Sequence, residues 1–436
     1  MAFGKALIQN TANRILNTIV MFLATVFLTR IVGVSDFGLL TLMITNASLL
    51  NLISSFGISS GITYNLAATN ISGTKVVSVT ILLLLTQLLF TSIFEYGCFQ
   101  LDDSFWLFKG KSLTDFLLGI SFFISISAIE KYNALLYGKQ QYLLANNIVL
   151  AGNLVMLFCL IILAIWKVED HYIFLGVYIV GNLFQAFALI CTYHIIYKEP
   201  VLFAVLNKAE FKLFFSYSFL AFVTNCLQFI AYRADYWLVD YYKGSTQLGL
   251  YSVSTRFAQL FWIIPNLFAA IIFPNVAGKQ TGKNAQSIFG LIRIMNTCNV
   301  IAGLFLFLFS PYLIVQIFGV EYANCIIPFR ILLPGVITFC IPAILASYFA
   351  GINKLIVNFW GTILCLLVIL ILDFALIPKF GIKGAAIASS IGYALTTIYV
   401  LIVFNRLSKA GFNQLLILKK EDLVYLKRLL LTHVKA

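Results

Sequence analysis

Long apolar runs separated by short polar breaks recur along the whole chain. Runs such as "VVSVTILLLLTQLLFTSIF" (76–94) and "IVLAGNLVMLFCLIILAIW" (148–166) are continuously hydrophobic, and each holds about the 20 residues that cross a bilayer as a helix. Hydrocarbon offers no partners for backbone N–H and C=O groups, so such segments must satisfy them internally. The lack of two-residue alternation rules out barrel strands. The pattern predicts an all-α integral membrane protein with twelve spans, at approximately 10–32, 38–66, 76–100, 113–137, 142–166, 172–197, 213–240, 246–275, 287–318, 325–350, 355–377 and 384–406. The breaks between them, among them "NISGTK", "YGKQQ" and "AGKQTGKN", are too short to fold as soluble domains. Function is therefore expected among the helices.

The chain also repeats itself. "GVSDFGLLT" (33–41) and "GSTQLGLYS" (244–252) share Gly33, Gly38 and Leu39 with Gly244, Gly249 and Leu250, at an offset of 211 residues that also superimposes Gly181 on Gly392. Six spans per half is an even number, so both copies insert with the same orientation, as in transporters built from parallel repeats. This predicts an N-terminal six-helix bundle over 1–197, a cytoplasmic linker over 198–212, a C-terminal six-helix bundle over 213–407 and a tail over 408–436. In the tail, Phe412, Leu415, Leu416, Leu423, Leu426 and Leu430 approximate helical spacing with Lys and Arg between them. That reads as a basic amphipathic helix on an anionic surface, or as a solvated cytoplasmic tail.

Composition narrows the class. Hydrophobic residues make up 61% of the chain and charged residues 10%, against about 25% charged in a soluble domain, and the mean hydropathy is +0.98. The net charge of +13 fits basic cytoplasmic loops and anionic lipid rather than nucleic acid, for which no soluble basic domain exists. An even span count puts both termini on one side. That side carries most of the Lys and Arg, so both termini are expected in the cytoplasm. Most of the eight cysteines lie in apolar runs without a C-x-x-C pair, and His171, His194 and His433 are scattered; no metal or cofactor is expected. "MAFGKALIQNTANR" is too polar for the core of a cleavable signal.

Polar residues inside the spans are costly, about 2.5–3.5 kcal/mol for a charge on insertion scales, and they face a cavity or a partner. Asn10, Asn13, Arg14 and Asn17 form one face of the first span, and Thr41, Thr45, Ser48, Ser55, Ser59 and Thr63 a hydroxyl stripe in the second. Thr224, Gln228 and Asp235 in the seventh and Arg256, Gln259 and Asn266 in the eighth repeat the pattern. A polar cleft between the halves would accommodate all four. Arginine predominates within it: Arg14, Arg30, Arg256, Arg293 and Arg330 are candidate ligands, with Asn17, Gln228 and Gln259 beside them. A guanidinium fork pairs with phosphate and keeps its charge, which points to an anionic, phosphorylated cargo; snorkelling to headgroups is the competing reading for Arg14 and Arg330. Glu130, Asp235 and Asp373 are the candidates for ion coupling. No phosphate-binding loop or nucleophile elbow occurs, and Asp102-Asp103 is a short loop pair without a partner motif.

"FLTRIVGVSDFGLLTLM" (27–43), "ADYWLVDYYKGSTQLGLYSVSTRFAQ" (234–259), "IFGVEYANCIIPFRILLPG" (317–335) and "PKFGIKGAAIASSIGY" (378–393) resemble the polysaccharide-export flippases of the O-antigen translocase type. These belong to the superfamily that includes the MATE exporters and the peptidoglycan lipid flippase. The resemblance spans approximately residues 4–407. It implies two six-helix bundles around a V-shaped cavity, with alternating access that moves undecaprenyl-pyrophosphate-linked oligosaccharide from the cytoplasmic to the periplasmic leaflet of a bacterial inner membrane. Membrane lipids, a polysaccharide polymerase and a chain-length regulator are the implied partners. The family's Arg before the first glycine turn matches Arg30, and its Asp before the second matches Asp235, followed by Gly244, Gly249 and Tyr251. Asp373 stands where members often carry a neutral residue. A MATE-type drug exporter would need an acidic cleft. A membrane glycosyltransferase or O-antigen polymerase would need a large external loop, and a scaffold leaves the polar faces unexplained.

Overall fold

The computed structural model describes residues 2–68, 71–102, 104–107, 110–166, 168, 171–200, 207–263, 265, 283–352 and 354–408. They form twelve α-helices: α1 (Ala2–Val32), α2 (Val34–Ser55), α3 (Ile58–Ala68), α4 (Gly73–Asp102), α5 (Leu113–Gly138), α6 (Tyr142–Ile165), α7 (His171–Tyr197), α8 (Lys208–Gln259), α9 (Lys283–Phe318), α10 (Ile326–Gly351), α11 (Leu355–Phe380) and α12 (Ile382–Ser408). Ten helical stretches among the described residues are long and apolar enough to cross a membrane. The chain is an all-α, multi-pass membrane protein. The second predicted span is divided, into α2 and α3. The seventh and the start of the eighth lie on α8; residues 266–275 of the eighth fall outside the described residues, as do linker residues 201–206 and the tail from 409 onward.

The repeated glycines share a backbone conformation. Gly33 adopts φ 80°, ψ 168° and Gly244 adopts φ 81°, ψ 170°. A side chain makes this region of φ/ψ space nearly inaccessible, so it belongs almost exclusively to glycine. Each breaks a helical path after a single residue, between α1 and α2 and within α8. Beyond the glycine and its adjoining backbone, no heavy atom lies within 4 Å of where a Cβ would stand at either position. Conformation alone, not crowding, requires glycine there.

Two compact units make up the chain, residues 2–229 and 230–436, dividing inside α8. In the first, α5 packs on α3 and α7, and α6 on α1 and α7; in the second, α12 packs on both α10 and α11. The pairs α6–α7 and α11–α12 are the fifth and sixth spans of each half. In each a helical glycine sets the approach: Gly181 faces Met156 and Gly392 faces Ile369. Small residues at such contacts let helices close without a hydrophobic driving force. Gly335 of α10 sits so close to the Ser390 backbone of α12 that a Cβ would overlap it, and its N–H donates to Ser390 Oγ at 3.0 Å.

Candidate functional site

In the unit 230–436, polar groups from three helices converge below the Gly244 break. Asp235 lies on α8 before the break and Tyr251 on α8 after it; Tyr251 Oη donates to Asp235 Oδ2 at 2.6 Å. Ser389 of α12 donates to the same oxygen at 3.4 Å and lies 3.3 Å from Tyr251 Oη. Asp373 of α11 is 0% exposed and within electrostatic reach of both Asp235 and Tyr251. Neither oxygen of Asp373, nor Oδ1 of Asp235, has a hydrogen-bond partner among the described residues. Buried carboxylates are costly unless paired, so two of them this close are suited to receiving a cation or a shared proton.

Arg233 lies two residues from Asp235. It donates to Tyr236 Oη at 2.7 Å and to Gln259 Oε1 at 3.4 Å, with its guanidinium 4.7 Å from the Tyr236 ring centroid. Tyr236 Oη lies 2.5 Å from Thr255 Oγ1. A small pocket here is lined by Tyr232, Asp235, Thr255, Gln259, Ser389 and Tyr393, among others. Beside it stand four mutually contacting rings, Tyr232, Trp262, Phe339 and Tyr393, with centroids 4.8–6.3 Å apart. This aromatic wall was not legible in a chain that is 15% aromatic; its four members come from separate segments with no common spacing.

The repeat is broken where this chemistry is concentrated. At the 211-residue offset, Asp235 corresponds to Ala24 and Asp373 to Ile162. The acid pair exists in one half only, so the shared scaffold does not require it.

The unit 2–229 uses mostly neutral polar groups. Asn153 donates to Asn17 Oδ1 at 2.7 Å and accepts from Gln185 Nε2 at 2.7 Å, linking α1, α6 and α7. One turn along α1, Asn13 hydrogen-bonds Asn147. Asn51 of α2 donates to Glu130 and accepts from Ser127 Oγ at 2.8 Å; Gln87 Nε2 of α4 donates to Ser54 Oγ at 2.8 Å. The α2 hydroxyls predicted as a wet stripe are largely spent on their own helix: Thr45 donates to Thr41 O at 2.8 Å, Ser48 to Ile44 O at 2.7 Å and Ser55 to Leu52 O at 3.1 Å. Such back-bonding hides a hydroxyl without water.

The other expected ligands are dispersed. Arg14 and Arg30 are exposed on α1, and Arg14 reaches the Tyr137 hydroxyl. Gln228 is exposed on α8, Arg256 half-buried on the same helix, and Arg293 buried on α9. Arg330 has a local task. Pro311 inside α9 has no N–H to offer the Phe307 carbonyl four residues back, and Arg330 Nε donates to that carbonyl at 2.9 Å and to Ser310 Oγ at 3.0 Å.

The profile of the family described as "Polysaccharide biosynthesis protein" matches residues 27–327. The chain belongs to this family. A search of curated proteins returns no match. Among solved structures, the fold is similar to that of the lipid II flippase MurJ in an inward closed conformation, with TM-score 0.72 and 15% identity over 92% of this chain and 90% of that one. An inward-facing multidrug resistance MATE transporter of the MOP superfamily gives TM-score 0.70 at 13% identity, over 90% and 96% of the two chains. An outward-facing MATE transporter gives TM-score 0.62 at 15% identity, over 93% and 97%. At these identities the likeness establishes the MATE-like fold. By their printed descriptions these neighbours are flippases and transporters.

Proposed function

We propose that this member of the polysaccharide biosynthesis family is a flippase. It carries undecaprenyl-pyrophosphate-linked oligosaccharide, an O-antigen or similar repeat unit, from the cytoplasmic to the periplasmic leaflet of a bacterial inner membrane. The observation that carries this reading is charge kept on the helices of a multi-pass membrane protein of a polysaccharide biosynthesis family: Arg293 and Asp373 on helices of bilayer-crossing length, and Arg233, Asp235 and Arg256 on α8. A pyrophosphate bearing sugars cannot enter hydrocarbon without losing its hydration; a path lined by guanidinium, hydroxyl and amide groups replaces that hydration while the lipid tail stays in the bilayer.

In this reading Arg256 and Arg293 bind the pyrophosphate, with Arg14 and Arg30 as further anion contacts, and Asn17, Gln228 and Gln259 meet the sugars. Asp235 and Asp373 take the coupling cation, a proton or sodium. Glu130, hydrogen-bonded by Asn51, is a further candidate for ion coupling. Both termini face the cytoplasm, anionic lipids surround the basic ends, and a polymerase and a chain-length regulator use the exported unit. The fold and the acid pair also suit a MATE-type drug exporter.

Deletion of the gene followed by lipid extraction and leaflet-specific labelling tests the proposal. Complete lipid-linked repeat units accumulating on the cytoplasmic face are expected. Incomplete sugars would instead indicate a transferase, and exported single units a polymerase. Increased drug susceptibility with normal polysaccharide would indicate the drug exporter.

A further inference from the structure

The unit 2–229 contains a buried lysine whose amine has no hydrogen-bond acceptor among the described residues. Lys131 lies in the last third of α5 with its side chain 0% exposed, and its Nζ has no hydrogen-bond partner among the described residues. Two hydrogen bonds bracket it. One turn earlier on the same face, Ser127 Oγ donates to Asn51 Oδ1 of α2 at 2.8 Å. Three residues later, the Ala134 carbonyl accepts from Thr63 Oγ1 of α3 at 3.1 Å. Between Asn51 and Thr63 the helical path is broken at Phe56 (φ 45°) and Gly57 (φ 68°). Lys131 therefore lies level with the α2–α3 break.

Its surroundings are apolar on one side and incompletely satisfied on the other. Leu135, one turn on, packs in a cluster with Tyr132 of α5 and Ile58 and Ile62 of α3. Nearby, Ser59 Oγ of α3 and Gln87 Oε1 of α4 are buried without a hydrogen-bond partner among the described residues. The charged and titratable groups on the packed elements are few. Glu130 acts on Lys131 electrostatically and is hydrogen-bonded by Asn51. Neither α3 nor the adjoining part of α2 contributes a charge. On α4, Glu95 is committed to the Leu107 amide at 3.1 Å; on α7, His194 is 3.1 Å from Tyr132 Oη, and Tyr193 donates to Glu199 at 2.6 Å.

An ammonium brings three donors and no acceptor, and a buried one without partners costs several kcal/mol. That cost is removed either by release of the proton or by movement of acceptors to the nitrogen. The helix break supplies such a movement, because α3, which starts just past Phe56–Gly57, carries the orphaned Ser59 Oγ. We propose that Lys131 is a proton-binding site of this unit: it holds a neutral amine in the arrangement seen here and takes up a proton when the segments flanking the break turn their acceptors toward it. The exchange is with water: the Nζ lone pair forms an N–H bond as hydronium returns to water. The two arrangements of α2–α3 are thus biased by pH, since a ligand shifts an equilibrium by its differential affinity for the two states. The inference is independent of the cargo and of the acid pair in the other unit, and its test reads no transport.

Hydrogen exchange over residues 50–66 of the full chain in lipid nanodiscs, followed from about pH 6 to about pH 10 and corrected for intrinsic exchange, provides the test. The wild type should show a transition with a slope of about tenfold per pH unit, as for one linked proton. Lys131→Met should abolish it, Lys131→Arg should hold the segment at its low-pH limit throughout, and His194→Gln should preserve it. A flat wild-type profile, or a transition that survives in Lys131→Met, overturns the proposal. If Lys131→Met fails to fold, a transition retained in Lys131→Arg overturns it and a flat profile supports it.

Discussion

Tyr251 donates a 2.6 Å hydrogen bond to Asp235 across the Gly244 break, so one buried hydroxyl ties the two arms of α8 together through a carboxylate. Removing that donor leaves Asp235 with the longer contact to Ser389. Tyr251→Phe, which keeps the ring, should lower the stability of the solubilised protein by about 1–3 kcal/mol, measured by thermal unfolding, and should reduce surface polysaccharide. Unchanged stability would mean that the hydroxyl is not engaged.

The acid pair should separate stability from function. Asp373 is buried with no hydrogen bond to either oxygen, so replacing it by an uncharged residue of the same shape relieves a cost. Asp373→Asn is expected to raise stability by about 1 kcal/mol or more while lowering polysaccharide export severely. A variant that is less stable, or fully active, contradicts the assignment of Asp373 to coupling.

Arg330 and Pro311 should behave as a coupled pair. Arg330→Met leaves the Phe307 carbonyl without its donor and should cost about 1–3 kcal/mol. In a Pro311→Ala background residue 311 regains the N–H for that carbonyl, and the same substitution should cost distinctly less. A double-mutant cycle on thermal stability reads the difference; additive effects would return Arg330 to the list of cargo ligands. Arg256→Ala and Arg293→Ala, by contrast, should reduce surface polysaccharide with insertion intact.

Glycine substitutions should change sign with backbone conformation. Gly33→Ala or Gly244→Ala forces a side chain into a nearly glycine-only region and should destabilise by about 1–3 kcal/mol. Gly97→Ala, on α4 and likewise with nothing within 4 Å of the added Cβ, should be neutral or stabilising by up to about 1 kcal/mol, because alanine is the better helix former. Comparable losses at all three positions would show that crowding rather than dihedral angle governs them.

The apolar runs were sufficient to read the spans, since hydrocarbon leaves the backbone so few choices, and the repeat was readable because its glycines have no substitute. The α2–α3 break was not. Ser55, Ser59 and Thr63 continue the hydroxyl stripe across it, and the only local sign is Gly57 after Phe56 in "SSFGISSG". Of the expected ligands, Asp235, Gln259 and Asp373 fall together because Asp235 and Gln259 share α8 while α11 lies beside α12, the helix that carries Ser389. Arg330 has a contact that its position in the sequence does not reveal, the Phe307 carbonyl that Pro311 leaves without an N–H. Lys131 gave no signal of its own: a single lysine in a span does not disclose whether it faces lipid, water or a hydrocarbon interior.

The shared backbone angles of Gly33 and Gly244 explain why glycine recurs at both turns. From one turn to the other, Val34, Ser35, Asp36 and Phe37 correspond to Ser245, Thr246, Gln247 and Leu248, with Phe37 and Leu248 both fully buried, so packing accepts a change of side chain that the glycine dihedral angles do not. The pair of dihedral angles at the first glycine is the same in both. The internal kinship of the two halves is thus recorded at a position where selection acts on an absent atom.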